Sequence, residues 1–276
     1  METAEYASRV ASIATTSARQ LVRQWDKPGL WADKVESAAL LLSVGQLRAA
    51  DLAETYAVSQ LGAADLTVQA GSFAGVASDG RSLSGLLMGA SAAADRKEAA
   101  EEASRAAKAW LEMAALTQVA DVARAALRTT MAVRDAGGIR IATPPCCDRC
   151  AVLHGRHYSW RAGFPRHPAC NCTYALTDRH VEEIPLDQIR GLSQADRQAI
   201  DLGANRNSVI NAQRGMYTAD LYGRRVKATF DSTAHRTSAF PTRDNTRTVR
   251  LRPESILRHA TDREDAIRLL TKYGYI

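Results

Sequence analysis

Between Pro28 and Pro144 the chain contains no proline, whereas seven of its eight prolines and all five of its cysteines lie beyond residue 143. A proline inside a helix removes a backbone hydrogen bond and clashes with the preceding turn, so a long stretch without one is free to be helical throughout. About one residue in four of the first 135 is alanine, the strongest helix former. A helical first half is therefore expected, followed by a second half that is not predominantly helical. At 276 residues the chain corresponds to at most two ordinary domains and can bury a core without disulfides.

The periodicity is specific about the helices. Residues 4–26 carry Val10, Ile13, Ala14, Ser17, Leu21 and Trp25 at helical spacing, and Pro28-Gly29 ends the run. A second helix is predicted from near Trp31 to the region of Gly62, with Val35, Ala38, Ala39, Leu42, Leu52 and Tyr56 on its apolar face. The glycines and serines of 71–85 indicate a loop or short helices. The longest pattern runs from Asp95 to about Arg134, with Trp110, Met113, Thr117, Ala120, Leu127 and Met131 on one stripe. Arg124 interrupts the apolar surface, which predicts that only part of this helix is buried. Gly137-Gly138 closes it, and 139–142 reads as a short strand.

The net charge of +6 is unevenly placed: residues 1–135 carry 14 Lys and Arg against 16 Asp and Glu, and residues 136–276 carry 22 against 14. Of those 22 cations only Lys227 and Lys272 are lysines, and arginine suits bidentate contact with phosphate or carboxylate. An acidic partner is one expectation, and a solvated basic face is the plainer one. No apolar run approaches the length of a membrane span, and Met1 to Glu5 lack the basic start of a signal peptide, so synthesis in the cytoplasm and no membrane partner are expected.

The chemistry-bearing residues cluster in one place. Cys147-x2-Cys150 can point two thiolates at one ion, and His167, Cys170 and Cys172 follow about twenty residues later. Five donors compete for the four places of a tetrahedral zinc, and Cys146 is the expected bystander. Cys170 and Cys172, one residue apart, are read as facing opposite sides of an extended segment, so His167 with either cysteine stands beside the two cysteines together as the completing pair. Tyr158 and Trp160 mark one strand after a turn at His154-Gly155, and 173–176 marks the returning strand, so a structural zinc would pin a hairpin too small to hold itself. His154 and His157 are either supports behind the ligands or surface residues. A disulfide and unmetallated thiols are the alternatives.

The string Cys146-Cys-Asp-Arg-Cys-Ala-Val-Leu-His-Gly-Arg-His-Tyr158, followed by Phe164-Pro-Arg-His-Pro-Ala-Cys-Asn-Cys-Thr173, resembles the MuF-like minor capsid proteins of tailed phages, especially actinobacteriophages. The match is close over 137–177 and loose over the helical half, and the ending, Arg252 to Ile276, also looks like that of actinophage members. The resemblance implies a head-morphogenesis component of the virion, inside the capsid near the portal. Its implied partners are the portal protein, a scaffold or major capsid protein, and packaged DNA through the Arg-rich half.

An enzyme is the competing class. A capsid-maturation protease would draw on Asp231, Ser232, His235 and Ser238, which crowd one polar Arg-rich segment where a triad normally gathers distant residues on a rigid frame. A zinc-containing, non-specific DNA-binding protein is the third possibility; the Cys-x2-Cys is expected to lead into a turn and a strand, with no recognition helix. No catalytic residue is assigned. Beyond Asp178, short helices are predicted over 194–202 with Ser193 as cap, over 207–216, from Pro253, and after a Thr261/Glu264 capping box. The expected architecture is mainly α: a helical scaffold with a long helix (1–136), a zinc-knuckle-like β-hairpin module (137–178) and an irregular basic region with short helices (179–276).

Overall fold

The computed structural model describes residues 1–164, 166–177, 182–204, 206, 209, 217–219, 225–227, 242–243 and 249–276. Its proline-free half is helical, as the composition predicts. Helix α1 spans Thr3–Asp26 and α2 spans Trp31–Leu61. Tyr6, early in α1, stacks on Tyr56, late in α2, with ring centroids 4.3 Å apart, and Trp25 meets Trp31 beside the connection at 5.3 Å. The two helices are therefore antiparallel. On α1 the buried residues Tyr6, Val10, Ala14, Ser17 and Leu21 recur every three or four positions, which is one apolar stripe.

Two short helices follow, α3 (Leu83–Leu87) and α4 (Gly89–Ala94), within a connection fastened by buried glutamines. The Gln46 side chain accepts from the Gly75 amide and donates to the Val76 carbonyl, both at 2.9 Å. Gln118 accepts from the Ser78 amide at 2.6 Å and donates to Ser78 Oγ at 3.1 Å. The indoles of Trp31 and Trp110 donate to the carbonyls of Leu87 and Leu86 at 3.0 and 3.2 Å. A helix this short cannot pair those carbonyls internally.

Helix α5, Ala100–Val133, has 34 residues and packs against both α1 and α2; at 1.5 Å per residue it is about 50 Å long. It starts at Ala100 rather than Asp95, because α4 and a turn occupy the residues before it. From Gln118 to Val133 every residue is buried. Only part of the helix is buried, as expected, but the exposed part is its beginning; Arg124 is itself only 5% exposed and has its charge satisfied inside the fold.

The sheet after α5 has β1 (Gly137–Ile141) at its centre, antiparallel to β3 (His157–Ser159) on one side and β4 (Thr173–Ala175) on the other. The two strands expected to form one hairpin do not pair with each other; each pairs with β1. Between β1 and β3 lie β2 (Cys146–Cys147) and helix α6 (Asp148–Leu153), and β2 runs parallel to β5 (Ile189–Arg190). Helix α7 (Gln194–Asp201) begins with a capping box between Ser193 and Asp196. Helix α8 (Pro253–His259) starts on its proline, as expected. Helix α9 (Arg263–Lys272) is capped by Asp262, whose carboxylate accepts from the Asp265 amide at 2.8 Å, one residue beyond the expected Thr261 cap. Arg263 donates to the carbonyls of Ala132 and Val133 at 2.9 and 2.6 Å, closing the C-terminus of α5. Tyr275 packs on Phe73 at 5.0 Å and its carbonyl accepts from the Gln69 amide at 2.8 Å.

One buried apolar cluster thus runs through the N-terminal helices, the cysteine module and the last two helices. Two further antiparallel strand pairs join 217–219 to 225–227 and 242–243 to 249–250. The helix expected over 207–216 falls, except for residue 209, outside the described residues, as do Asp231, Ser232, His235 and Ser238. Among the described residues no helix is long and apolar enough to cross a membrane.

Candidate metal centre

Cys147 is the N-cap of α6 and Cys150 lies in its first turn, a spacing of three that brings both sulfurs to one side of the helix. This short helix stands where only a turn was expected after the knuckle. Facing it, His167 Nε2 lies 3.2 Å from Cys147 Sγ and 3.3 Å from Cys150 Sγ, and Cys170 Sγ lies 3.7 Å from Cys150 Sγ. Two groups result, Cys147–Cys150–His167 and Cys150–Cys170–Cys172, with the donor atoms of each within 4.8 Å of one another and Cys150 common to both. All five expected donors are gathered. Cys146 belongs to neither group, and every cysteine is free of disulfides.

Contrary to the expectation from their spacing, Cys170 and Cys172 turn the same way. Residues i and i+2 of an extended segment share a face. Both cysteines are 2% exposed, while Asn171 between them faces outward and donates to the Thr143 carbonyl at 3.1 Å.

The Cys147–Cys150–His167 group, completed by one sulfur from Cys170 or Cys172, is compatible with a tetrahedral ion. With bonds of about 2.3 Å to sulfur and about 2.0 Å to nitrogen, two sulfurs stand about 3.8 Å apart and a sulfur and a nitrogen about 3.5 Å apart. The His167–Cys147, His167–Cys150 and Cys150–Cys170 distances are within a few tenths of an ångström of these, whereas Cys170 shares no group with Cys147 or His167 and would have to move toward them to close the site. His167 Nδ1 donates to the Pro168 carbonyl at 2.8 Å, which leaves the Nε2 lone pair directed at the sulfurs. A backbone carbonyl behind a ligating imidazole is the usual way its tautomer is set.

Arg140 lies against the sulfurs, 1% exposed. Its Nη2 donates to Sγ of both Cys150 and Cys172 at 3.4 Å, and its guanidinium sits 4.5 Å from the Phe164 ring centre. Burial opposes its charge, but the Cys172 and Cys150 sulfurs outweigh burial and raise its pKa above the ordinary arginine value. The hydrogen bond from Cys150, against burial and with help from His167, holds the Cys147 thiol down to about 3. Burial instead pushes Cys146 up to about 11. Without a metal the proton of the Cys147–Cys150 pair thus stays on Cys150, whose thiol is pushed up as that of Cys147 is held down, and Cys146 stays a neutral thiol.

The module is tied to α5 by side chains the sequence reading missed. Arg124 Nη1 donates to the carbonyls of Cys170 and Cys172 at 3.0 and 2.7 Å, while Nη2 pairs with Asp121. Arg128 donates to the carbonyls of Trp160 and Arg161, and Thr117 Oγ1 accepts from the Ala169 amide at 2.8 Å. From α2, Tyr56 Oη accepts from the Leu176 amide at 3.2 Å. The one signal in the sequence was arginine on an apolar helix surface, which marks a buried anchor as well as it marks a break. His154 joins two backbone segments, with Nδ1 accepting from the Ala142 amide at 3.0 Å and Nε2 lying 2.9 Å from the Glu182 carbonyl. His157 lies over Gly137, where a Cβ would stand 2.5 Å from its ring.

No protein-family model, curated protein or solved structure matches the chain.

Proposed function

We propose that the chain is a structural, non-enzymatic protein in which zinc staples a small β module to a helical scaffold, and that it serves as a MuF-like minor capsid protein at the portal vertex of a phage head. The zinc assignment is carried by two donor groups, Cys147–Cys150–His167 and Cys150–Cys170–Cys172, that share Cys150. Zinc suits a set of thiolates and one imidazole. Three thiolates and a neutral imidazole leave a zinc site with one negative charge, and Arg140 is the buried cation that offsets it. The fourth ligand is Cys170 or Cys172, both grouped with Cys150, and Arg140 lies against the Cys150 and Cys172 sulfurs. Four protein ligands leave no open position of the kind a catalytic zinc requires.

The capsid reading rests on the motif strings of 146–158 and 164–173 following a helical scaffold. It is supported by Leu40, Val44 and Leu47 of α2, which are 70%, 47% and 41% exposed and offer an apolar strip to a portal, scaffold or capsid subunit. Contact with packaged DNA falls to the exposed cations of 136–276, because Arg140 and Arg252 are buried and Arg166 is engaged in ion pairs.

Zinc content by atomic emission tests the first part. One zinc per chain is expected, and it should be lost in Cys150→Ser; metal-free reduced protein with undiminished amide protection over 139–176 would falsify it. Mass spectrometry and asymmetric reconstruction of purified particles test the second, and a protein found in lysate but never in particles overturns it. Ala at Ser232, His235 and Ser238 should leave capsid-protein processing unchanged.

A further inference from the structure

The five donors of the metal centre form two groups of three rather than one group of four. Cys147 Sγ, Cys150 Sγ and His167 Nε2 lie within 4.8 Å of one another, as do the sulfurs of Cys150, Cys170 and Cys172, and Cys150 belongs to both groups. Its sulfur stands between them, 3.3 Å from His167 Nε2 and 3.7 Å from Cys170 Sγ. One tetrahedral ion draws Cys170 or Cys172 toward the first group and leaves the other sulfur unused. Two three-coordinate ions sharing the Cys150 sulfur use all five donors where they stand.

Each half of the centre is built by its own segment. Cys147 and Cys150 are carried by the start of α6, and His167 is oriented by the bond from its Nδ1 to the Pro168 carbonyl. Cys170 and Cys172 share one face of an extended segment whose carbonyls are held by Arg124 of α5. Cys150, Cys170 and Cys172 are each 2% exposed, so the second group lies away from the water that would fill an open coordination position. Arg140 donates at 3.4 Å to the shared Cys150 sulfur and to the Cys172 sulfur of the second group.

We propose that the centre takes two soft monovalent cations of the copper(I) class, one at Cys147, Cys150 and His167 and the other at Cys150, Cys170 and Cys172, bridged by the Cys150 thiolate. Thiolates select copper(I) among soft ions, and this filled-shell ion is satisfied by three ligands, whereas zinc in a structural site takes four. Charge points the same way. Four thiolates and two monovalent cations leave two negative charges, and Arg140 sets its positive charge against them. Two divalent cations would cancel the thiolate charge to which Arg140 donates, and each would lack a fourth ligand. The inference rests on the reading of this cluster as a metal centre and concerns a different class of ion from the zinc proposed above.

The test is anaerobic titration of the full reduced chain, as purified, with copper(I) supplied as its acetonitrile complex. Copper and zinc contents are measured after desalting, and X-ray absorption is recorded at the copper edge. Two coppers per chain are expected, with the short copper–copper vector that a shared thiolate imposes, and any zinc present should be released. Cys146→Ser should keep both coppers. Cys170→Ser combined with Cys172→Ser should keep one copper and lose the vector. One copper per chain in the parent, two coppers without a copper–copper vector, or a pair retained in the double variant overturns the proposal; the two parent measurements stand whether or not that variant folds. Zinc content before titration separates the two readings. A zinc-free chain that takes the copper pair would refute the zinc assignment alone, and a chain that exchanges one zinc for one copper would refute the pair alone.

Discussion

Arg124 is a cation in the most enclosed stretch of the longest helix, and it stays charged there because Asp121 and two carbonyls of the ligand-bearing segment surround it. Removing it strips those carbonyls of their donor and leaves Asp121 with Arg166 as its remaining ion-pair partner. Arg124→Leu should cost about 3–5 kcal/mol, the scale for breaking a buried ion pair from one side. Urea unfolding checks this, and a loss below about 1 kcal/mol would mean that the pair is solvated. Gly89 makes a different point. A Cβ there would lie 2.4 Å from the Trp110 indole, and that ring is anchored to the Leu86 carbonyl. Gly89→Ala should therefore lower stability by about 1–3 kcal/mol as an overpacking change, although alanine is the better helix former. A Tm equal to or above that of the parent would contradict the close contact.

Helices α5 and α8 are joined through carboxylates. Asp121 on the first and Glu254 on the second are both buried, and burial raises their pKa values. The arginines beside them, Arg166 and Arg124 for Asp121, Arg252 and Arg166 for Glu254, outweigh burial and hold both below their ordinary values of 3.8 and 4.5. A carboxylate whose pKa is lower folded than unfolded stabilises the fold above its unfolded pKa, and that stabilisation is lost as the pH falls through the folded value. Stability should therefore fall as the pH drops below about 4, and Asp121→Asn with Glu254→Gln should flatten that limb of the profile. Urea titrations from pH 6 to pH 2 measure it, and an unchanged acid limb in the double variant would remove these groups as its cause. The sheet shows how little the strand pattern says about pairing: β3 and β4 are both legible as short alternating runs, but β1 separates them.

Across the molecule, the chain ends close against its N-terminal half. Tyr275 and Leu270 lie in the common core, and Arg263 covers the last carbonyls of α5. Deleting 261–276 should expose that core and cost several kcal/mol, since burying one large apolar side chain contributes about 1.5–3 kcal/mol. A truncated chain with an unaltered urea midpoint would show that the C-terminus is an appendage. Chelation should act more locally. The proposed structural zinc would contribute on the order of 10 kcal/mol or more, so a chelator should release amide protection over 139–176 while α1 and α2 keep theirs. The proposed contact with duplex DNA should weaken by about 0.9 log units per phosphate neutralised for each log unit of salt. It should require 136–276, and equal affinity in a chain ending at residue 135 would contradict the placement of the positive charge.

The helices were legible because alanine content, proline exclusion and a three-to-four-residue apolar period are properties of one segment at a time. The Cys147, Cys150, His167, Cys170 and Cys172 donor set was legible for a related reason: few residue types ligate a soft metal, and their spacing is short. What sits around the donors depended on residues far apart in sequence. Arg124 reaches Cys172 across 48 positions and Tyr56 reaches Leu176 across 120, and no local pattern encodes such meetings. Arginine on an apolar stripe reads alike as an interruption or as a buried anchor until a second segment supplies its acceptors. Thus the elements and the ligand types follow from the sequence, because local geometry and donor chemistry dictate them. The central place of β1, the shared face of Cys170 and Cys172 with Cys150, and the buried arginines around them follow from packing, because a buried charge or an unpaired strand is stable only where a distant partner meets it.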